Sequence, residues 1–135
     1  MEKIVVNVDY ADKNFSAGTG EINGAVIATG KSLDEVKKEF KSAFDFHVEA
    51  CREDNELLPK WLLNGDYEFE YNYTVSALLQ CFDGVLTRSA LARVTGINER
   101  QLGHYATGHR KPRPKQRERI IEGFHKIGKE FIAVV

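Results

Sequence analysis

Cysteine is scarce: Cys51 and Cys81 are the only two in 135 residues. Both fall in apolar, helix-like contexts, which predicts buried thiols, not a disulfide or a metal pair. The absence of a disulfide framework predicts a reducing, cytoplasmic setting. No apolar run approaches the roughly 18 residues that span a bilayer, so no membrane partner is expected. The opening "MEKIVVNVDY" lacks a basic stretch leading into an apolar core, so no secretory signal is expected. Phosphate-loop chemistry is missing as well. Gly18, Gly20 and Gly24 permit tight connections, but no Gly-Lys-Ser/Thr stands at the required spacing, and Gly30-Lys31-Ser32 reads as a turn into a helix. Nucleophile groupings of the Ser/His/Asp or Cys/His kind are absent, and the one histidine of the first half, His47, lies on an apolar helical face as a packed core residue would. His104 and His109 have no cysteine or third histidine nearby in sequence, so neither a metal nor another cofactor is expected there.

What is present is a soluble globular composition, 42% hydrophobic and 29% charged, with a divided charge. Residues 1–73 carry 8 Lys+Arg and 15 Asp+Glu, a balance of -7, whereas residues 74–135 carry 11 and 5, a balance of +6. Together they give the net charge of -1. Such asymmetry suggests that one half meets a polyanion.

The acidic half reads as a small α+β layer. "KIVVNVDY" is a strand, "ADKN" a reversal, and "FSAGTG" and "GAVIATG" two further strands. Ser32 caps a helix and Glu35, three residues on, completes a capping box. Leu33, Val36, Phe40, Ala43, Phe44 and His47 carry the helical period to about Glu53. "NELLPKWLLNGD" reads as a loop broken by Pro59, and "YEFEYNY" alternates like a half-buried strand. The predicted order is β-β-β-α-β. Asp9, Glu35, Glu39, Glu68 and Glu70 are spread over these elements as nuclease carboxylates can be. So acidic a segment produces that spread by chance, solvated faces explain it, and Glu35 already caps; no enzyme is expected.

The basic half reads as all-α. "YTVSALLQCFDG" puts Val75, Leu78, Leu79 and Phe82 on one helical face, with Asp83-Gly84 as the stop. Thr87 caps "RSALARVT", Gly96 ends it, and Asn98 caps "ERQLGHYATG", with Gln101 reinforcing that cap and Gly108 ending the helix. A final helix carries Ile120, Ile121, Phe124, Ile127 and Phe131 on one face. Small Ala92, the glycine turn at Gly96, and apolar Ile97 and Leu102 have the joint spacing of a helix-turn-helix. In that motif the start of the second helix reaches base edges in the major groove. The base-reading candidates are therefore Asn98, Glu99, Arg100, Gln101 and, one turn on, His104. Arg100 suits guanine and Gln101 suits adenine, while Glu99 either accepts from cytosine or pairs with an arginine. Thr87 and Arg88, at the start of the preceding helix, and Arg110, Lys111 and Arg113 are the phosphate candidates. One motif reads few base pairs, so a homodimer or higher assembly on a palindromic operator is expected, with the apolar tail "EFIAVV" and the first-half strands as candidate surfaces.

Over nearly its whole length the chain resembles a HicB-type antitoxin with a C-terminal helix-turn-helix of the XRE, lambda-repressor-like class. "IVVNVDYADKNFSAGTGEINGAVIATGKSLDEVKKEF" is similar to that family's degraded RNase H-like domain, and "YTVSALLQCF" through "GINERQLGHYATGHRKPR" to its DNA-binding domain. The family commonly has Gly-Asp-Thr before the first helix; Gly30-Lys31-Ser32 keeps the cap and loses the acid. The resemblance implies two domains, 1–73 and 74–135. The first would neutralise a small basic HicA-like toxin, an mRNA-cleaving ribonuclease, without catalysis of its own. The second would bind the operon's own operator and repress it. The alternative is a stand-alone helix-turn-helix regulator whose first domain senses a ligand or dimerises.

Overall fold

A computed structural model describes residues 1–20 and 25–135. Among these residues the chain is α+β, with four strands in one mixed sheet and six helices. It divides into two compact units, 1–74 and 75–135.

In the first unit, β1 (Glu2–Ala11) alternates as the sequence predicts, burying Ile4, Val6 and Val8. Asp12 and Lys13 then reverse the chain, both with positive φ (52° and 66°), the backbone that a tight two-residue hairpin demands. β2 (Asn14–Thr19) returns antiparallel, pairing Tyr10 with Phe15, and β3 (Val26–Gly30) pairs antiparallel with β2. Gly18 lies within β2 and not in a connection, while Gly24 falls outside the described residues. β4 (Tyr67–Tyr73) runs parallel to β1 on its other side, giving the order β3-β2-β1-β4.

α1 (Leu33–Glu53) covers one face of this sheet. Val36, Phe40, Phe44, Val48 and Cys51 recur at helical spacing and are buried. Phe40 and Phe44 meet Phe69 of β4 edge-on, with ring centroids 5.2 and 5.1 Å apart. The Glu35 N–H donates to Ser32 Oγ at 3.1 Å, so the predicted cap forms. The Glu35 carboxylate accepts from the Lys31 N–H at 3.2 Å, one residue earlier than a capping box places it. His47 is half-buried, its Nε2 3.6 Å from Cys51 Sγ. Burial, then the Glu56 and Asp54 carboxylates, push the Cys51 thiol up.

The expected loop before β4 is not wholly irregular. Pro59 starts a short helix, α2 (Lys60–Leu63), where it was expected only to break structure. A proline at a helix start loses no intrahelical bond, and Leu62 is driven into the core.

The second unit contains α3 (Val75–Cys81), α4 (Arg88–Thr95), α5 (Glu99–Ala106) and α6 (Pro114–Ile132). Its core joins Val75 and Leu79 of α3, Leu91 of α4, Ile97, Leu102, Tyr105 and Ala106 around α5, and Ile120 and Ile127 of α6. Ser76 Oγ and Gln80 Nε2 both donate to the Ala106 carbonyl, at 3.0 and 2.8 Å. The two bonds satisfy a helix-end carbonyl that α5 itself cannot. Two of the residues expected on the apolar faces are exposed. Phe82 follows the end of α3 and is 37% exposed, and Phe131, in the last turn of α6, is 62% exposed. α3 stops at Cys81, before Asp83-Gly84, and Gly84 takes a left-handed φ of 88° inside the connection.

Gly30 marks where β3 passes closest to α1: a Cβ there would sit 2.7 Å from the Val36 backbone nitrogen. Backbone cannot swing aside as a flexible side chain can. Gly30→Ala should therefore destabilise the chain by about 1–3 kcal/mol, read as a lower urea midpoint with an unchanged slope.

Candidate nucleic-acid interface

The placement of α5 follows from the turn before it. Thr87 Oγ1 accepts from the Ala90 N–H at 3.0 Å and starts α4. Gly96 ends that helix in the left-handed region, φ 74° and ψ 11°, returning its N–H to the Ala92 carbonyl. The Arg119 guanidinium lies over this turn, with Nη2 2.6 Å from where a Gly96 Cβ would stand. Buried Thr95 braces the bend from inside. Its hydroxyl donates to the Leu91 carbonyl at 2.7 Å and accepts from the Ile97 N–H at 3.2 Å. Ile97 and Leu102 then enter the core, as their apolar character predicts. Asn98 Oδ1 accepts from the Gln101 N–H at 2.8 Å and begins α5.

Asn98, Glu99 and Arg100 consequently form an exposed row at the start of α5. Among the described residues no carboxylate is in ion-pair contact with Arg100, and Glu99 pairs with no arginine. The expected second use of Glu99 is therefore unrealised. Gln101 does not reinforce the cap with its side chain. Its Nε2 donates instead to Tyr105 Oη at 2.9 Å, leaving it half-buried. His104 stands apart from the exposed row. Its ring lies against that of His109, centroids 4.8 Å apart, and its Nδ1 is buried without a hydrogen-bond partner. Burial first, then the charges of His109, Arg100 and Arg110, hold the imidazole below its ordinary value.

The phosphate candidates fall into two groups. Thr87 is spent on its cap, and half-buried Arg88 extends towards α5, Nη1 being 3.6 Å from where a Gly103 Cβ would be. Arg110, Lys111 and Arg113 come together around a polar cavity of about 560 Å³, completed by Gln101, Tyr105 and Gln116. The Arg110 N–H donates to the His104 carbonyl at 3.2 Å and ties this basic connection to α5. Arg113 is the N-cap of α6 and offers its first turn no side-chain bond. Tyr105 and Gln116 were missed from sequence. Tyr105 reads as a core aromatic, which its ring is, and nothing in the pattern shows that its hydroxyl emerges beside the cations.

In the first unit the suggested carboxylates do not converge. Among the described residues, no three His, Cys, Asp or Glu side chains come together as a metal centre. Asp9 Oδ1 accepts from Thr74 Oγ1 at 2.8 Å, and Glu70 pairs with Lys3 at 3.5 Å. Among the same residues, no helix is long and apolar enough to cross a membrane. The chain matches no family model, no curated protein and no solved structure.

The lowered His104 imidazole should make the chain acid-sensitive. Unfolded, its imidazole takes a proton near the ordinary value of 6.5; folded, it resists until a lower pH. The unfolded state binds the extra proton between those two values, so stability falls as pH drops below about 6.5 and levels off beneath the folded value. Thermal melts from about pH 7 to about pH 5 should show a falling midpoint, and His104→Gln should remove part of that fall. An unchanged pH profile in the variant would refute the assignment.

Proposed function

We propose that the chain is the antitoxin of a HicA/HicB-like toxin–antitoxin pair and represses its own operon through α4 and α5, acting as a helix-turn-helix. One juxtaposition carries the DNA-reading half of this proposal. The exposed row Asn98-Glu99-Arg100 at the start of α5 lies beside the cavity ringed by Arg110, Lys111 and Arg113. A major groove offers base edges flanked by phosphates, and this surface offers base-edge donors flanked by cations. Arg100 is the guanine reader and the three cations hold the backbone. His104, packed against His109, supports α5 more than it reads bases.

The antitoxin half rests on the resemblance of residues 1–73 to the RNase H-like domain of that family and on their charge of -7. A small basic ribonuclease is the complementary partner, drawn by steering and by matched potentials.

Mobility shifts of the full chain on the DNA upstream of its own gene test the first half. Arg100→Ala should relax base preference at one position at about 1–3 kcal/mol. Lys111→Ala should weaken all sequences about equally and lower the salt slope by roughly one unit. If neither variant changes binding, α5 is not the reading helix.

Co-expression with the neighbouring short, basic open reading frame tests the second half. The two products should co-purify, and the full chain should suppress RNA cleavage by the neighbour. A neighbour that ignores the chain, or no such neighbour, leaves a stand-alone regulator.

A further inference from the structure

Gln101 follows Arg100 on α5 but does not join the exposed row. It is half-buried, and its Nε2 donates to Tyr105 Oη at 2.9 Å, one turn further along the same helix. A bidentate contact to adenine needs the amide nitrogen and oxygen together at a base edge. Here the nitrogen is already engaged.

Tyr105 is 3% exposed, with its ring in the core and its hydroxyl at the polar cavity of about 560 Å³. A phenol hydroxyl can both donate and accept. Gln101 uses it as an acceptor, so its proton turns away from that amide, and among the described residues no acceptor takes it. The surroundings call for an anion. Arg110, Lys111 and Arg113 bring cations, and no carboxylate lines the cavity. Gln116 Oε1 accepts from Arg119 Nη1 at 3.0 Å, which leaves Gln116 its amide N–H groups to offer. Donors gathered in this way fit the oxygens of a phosphate. The three cations sit on long side chains that lose rotamer freedom when they grip a ligand. A hydroxyl on a buried ring is held before the ligand arrives.

We infer that the Tyr105 hydroxyl donates to a phosphate held by Arg110, Lys111 and Arg113, and that Gln101 is the positioning residue that aims it, not a reader of adenine. The cations supply charge and the tyrosine supplies direction. That the phosphate belongs to a duplex backbone rests on the DNA proposal; the hydrogen bond, the buried ring and the donor-lined cavity do not.

Two titrations of the full chain test the inference. One uses the duplex upstream of its own gene, and the other inorganic pyrophosphate, followed through the amide resonances of Tyr105 and Lys111. Tyr105→Phe keeps the ring, and circular dichroism should show unchanged helicity. It should weaken every duplex, and pyrophosphate too, by roughly 10-fold or more. The salt slope should stay as in the wild type, because the lost group carries no charge. A lower slope means that the cations themselves have shifted, and overturns the role of the hydroxyl. Gln101→Ala should weaken all sequences alike and cost nothing further in the Tyr105→Phe background, since it acts through the hydroxyl. Relaxed preference at one base pair, or a full added loss in that background, makes Gln101 an independent contact and overturns its positioning role. A Tyr105→Phe chain that binds duplex and pyrophosphate as tightly as the wild type overturns the inference and leaves the DNA proposal intact. A wild type that takes pyrophosphate but no duplex, with Tyr105→Phe weakening the former, leaves the hydroxyl's role standing. It assigns the cavity to a free phosphate ligand and removes the DNA reading alone. A chain that takes neither overturns both.

Discussion

The turn at Thr95-Gly96-Ile97 governs what the second unit can present to a partner. Left-handed backbone at Gly96 lets α4 end and α5 begin within three residues. The buried Thr95 hydroxyl holds both sides of the bend, through the Leu91 carbonyl and the Ile97 N–H. With the bend fixed, Ile97 and Leu102 can be buried only if Asn98, Glu99 and Arg100 face outward. The far end of α5 is fixed by α3, whose Ser76 and Gln80 share the Ala106 carbonyl. α5 is thus anchored at both ends by polar bonds and along one side by apolar packing. A surface required to meet another molecule in one register needs such rigidity.

The two units use their charges differently. Each ion pair within 4.0 Å among the described residues lies in the first: Lys3–Glu70, Lys41–Asp45 and Arg52–Glu49. All are exposed and each adds little to stability. In the second unit Arg110, Lys111 and Arg113 crowd around one cavity with no carboxylate among its lining residues. Like charges held this close oppose folding, and an anion from outside would relieve that repulsion.

Local signals made most of the architecture readable in advance. Ser32, Thr87 and Asn98 cap the helices they were expected to cap, because capping depends on a residue and its neighbours three positions on. The strands of the first unit follow from alternation and turn chemistry for the same reason. What was not readable depended on which way side chains turn once the helices pack. Gln101 has the spacing of a capping residue, yet its amide goes to Tyr105 one turn on in the same helix, a rival partner that the capping pattern does not weigh. Phe131 continues the α6 period perfectly, yet the core ends before reaching it, so periodicity predicted a burial that the unit cannot supply. The rings of His104 and His109 meet only because the basic connection folds back on α5.

At the margin of the sheet, β4 has β1 as its one neighbour in the strand order. Its inner side is an aromatic ladder, Tyr67, Phe69, Tyr71 and Tyr73, with Lys37 4.5 Å above the Tyr71 ring. Its other side carries Glu68 and Glu70. A strand at the end of a sheet is a template for strand addition. Charged side chains on an end strand set like against like when copies try to stack, and Glu68 and Glu70 stand where that effect would act.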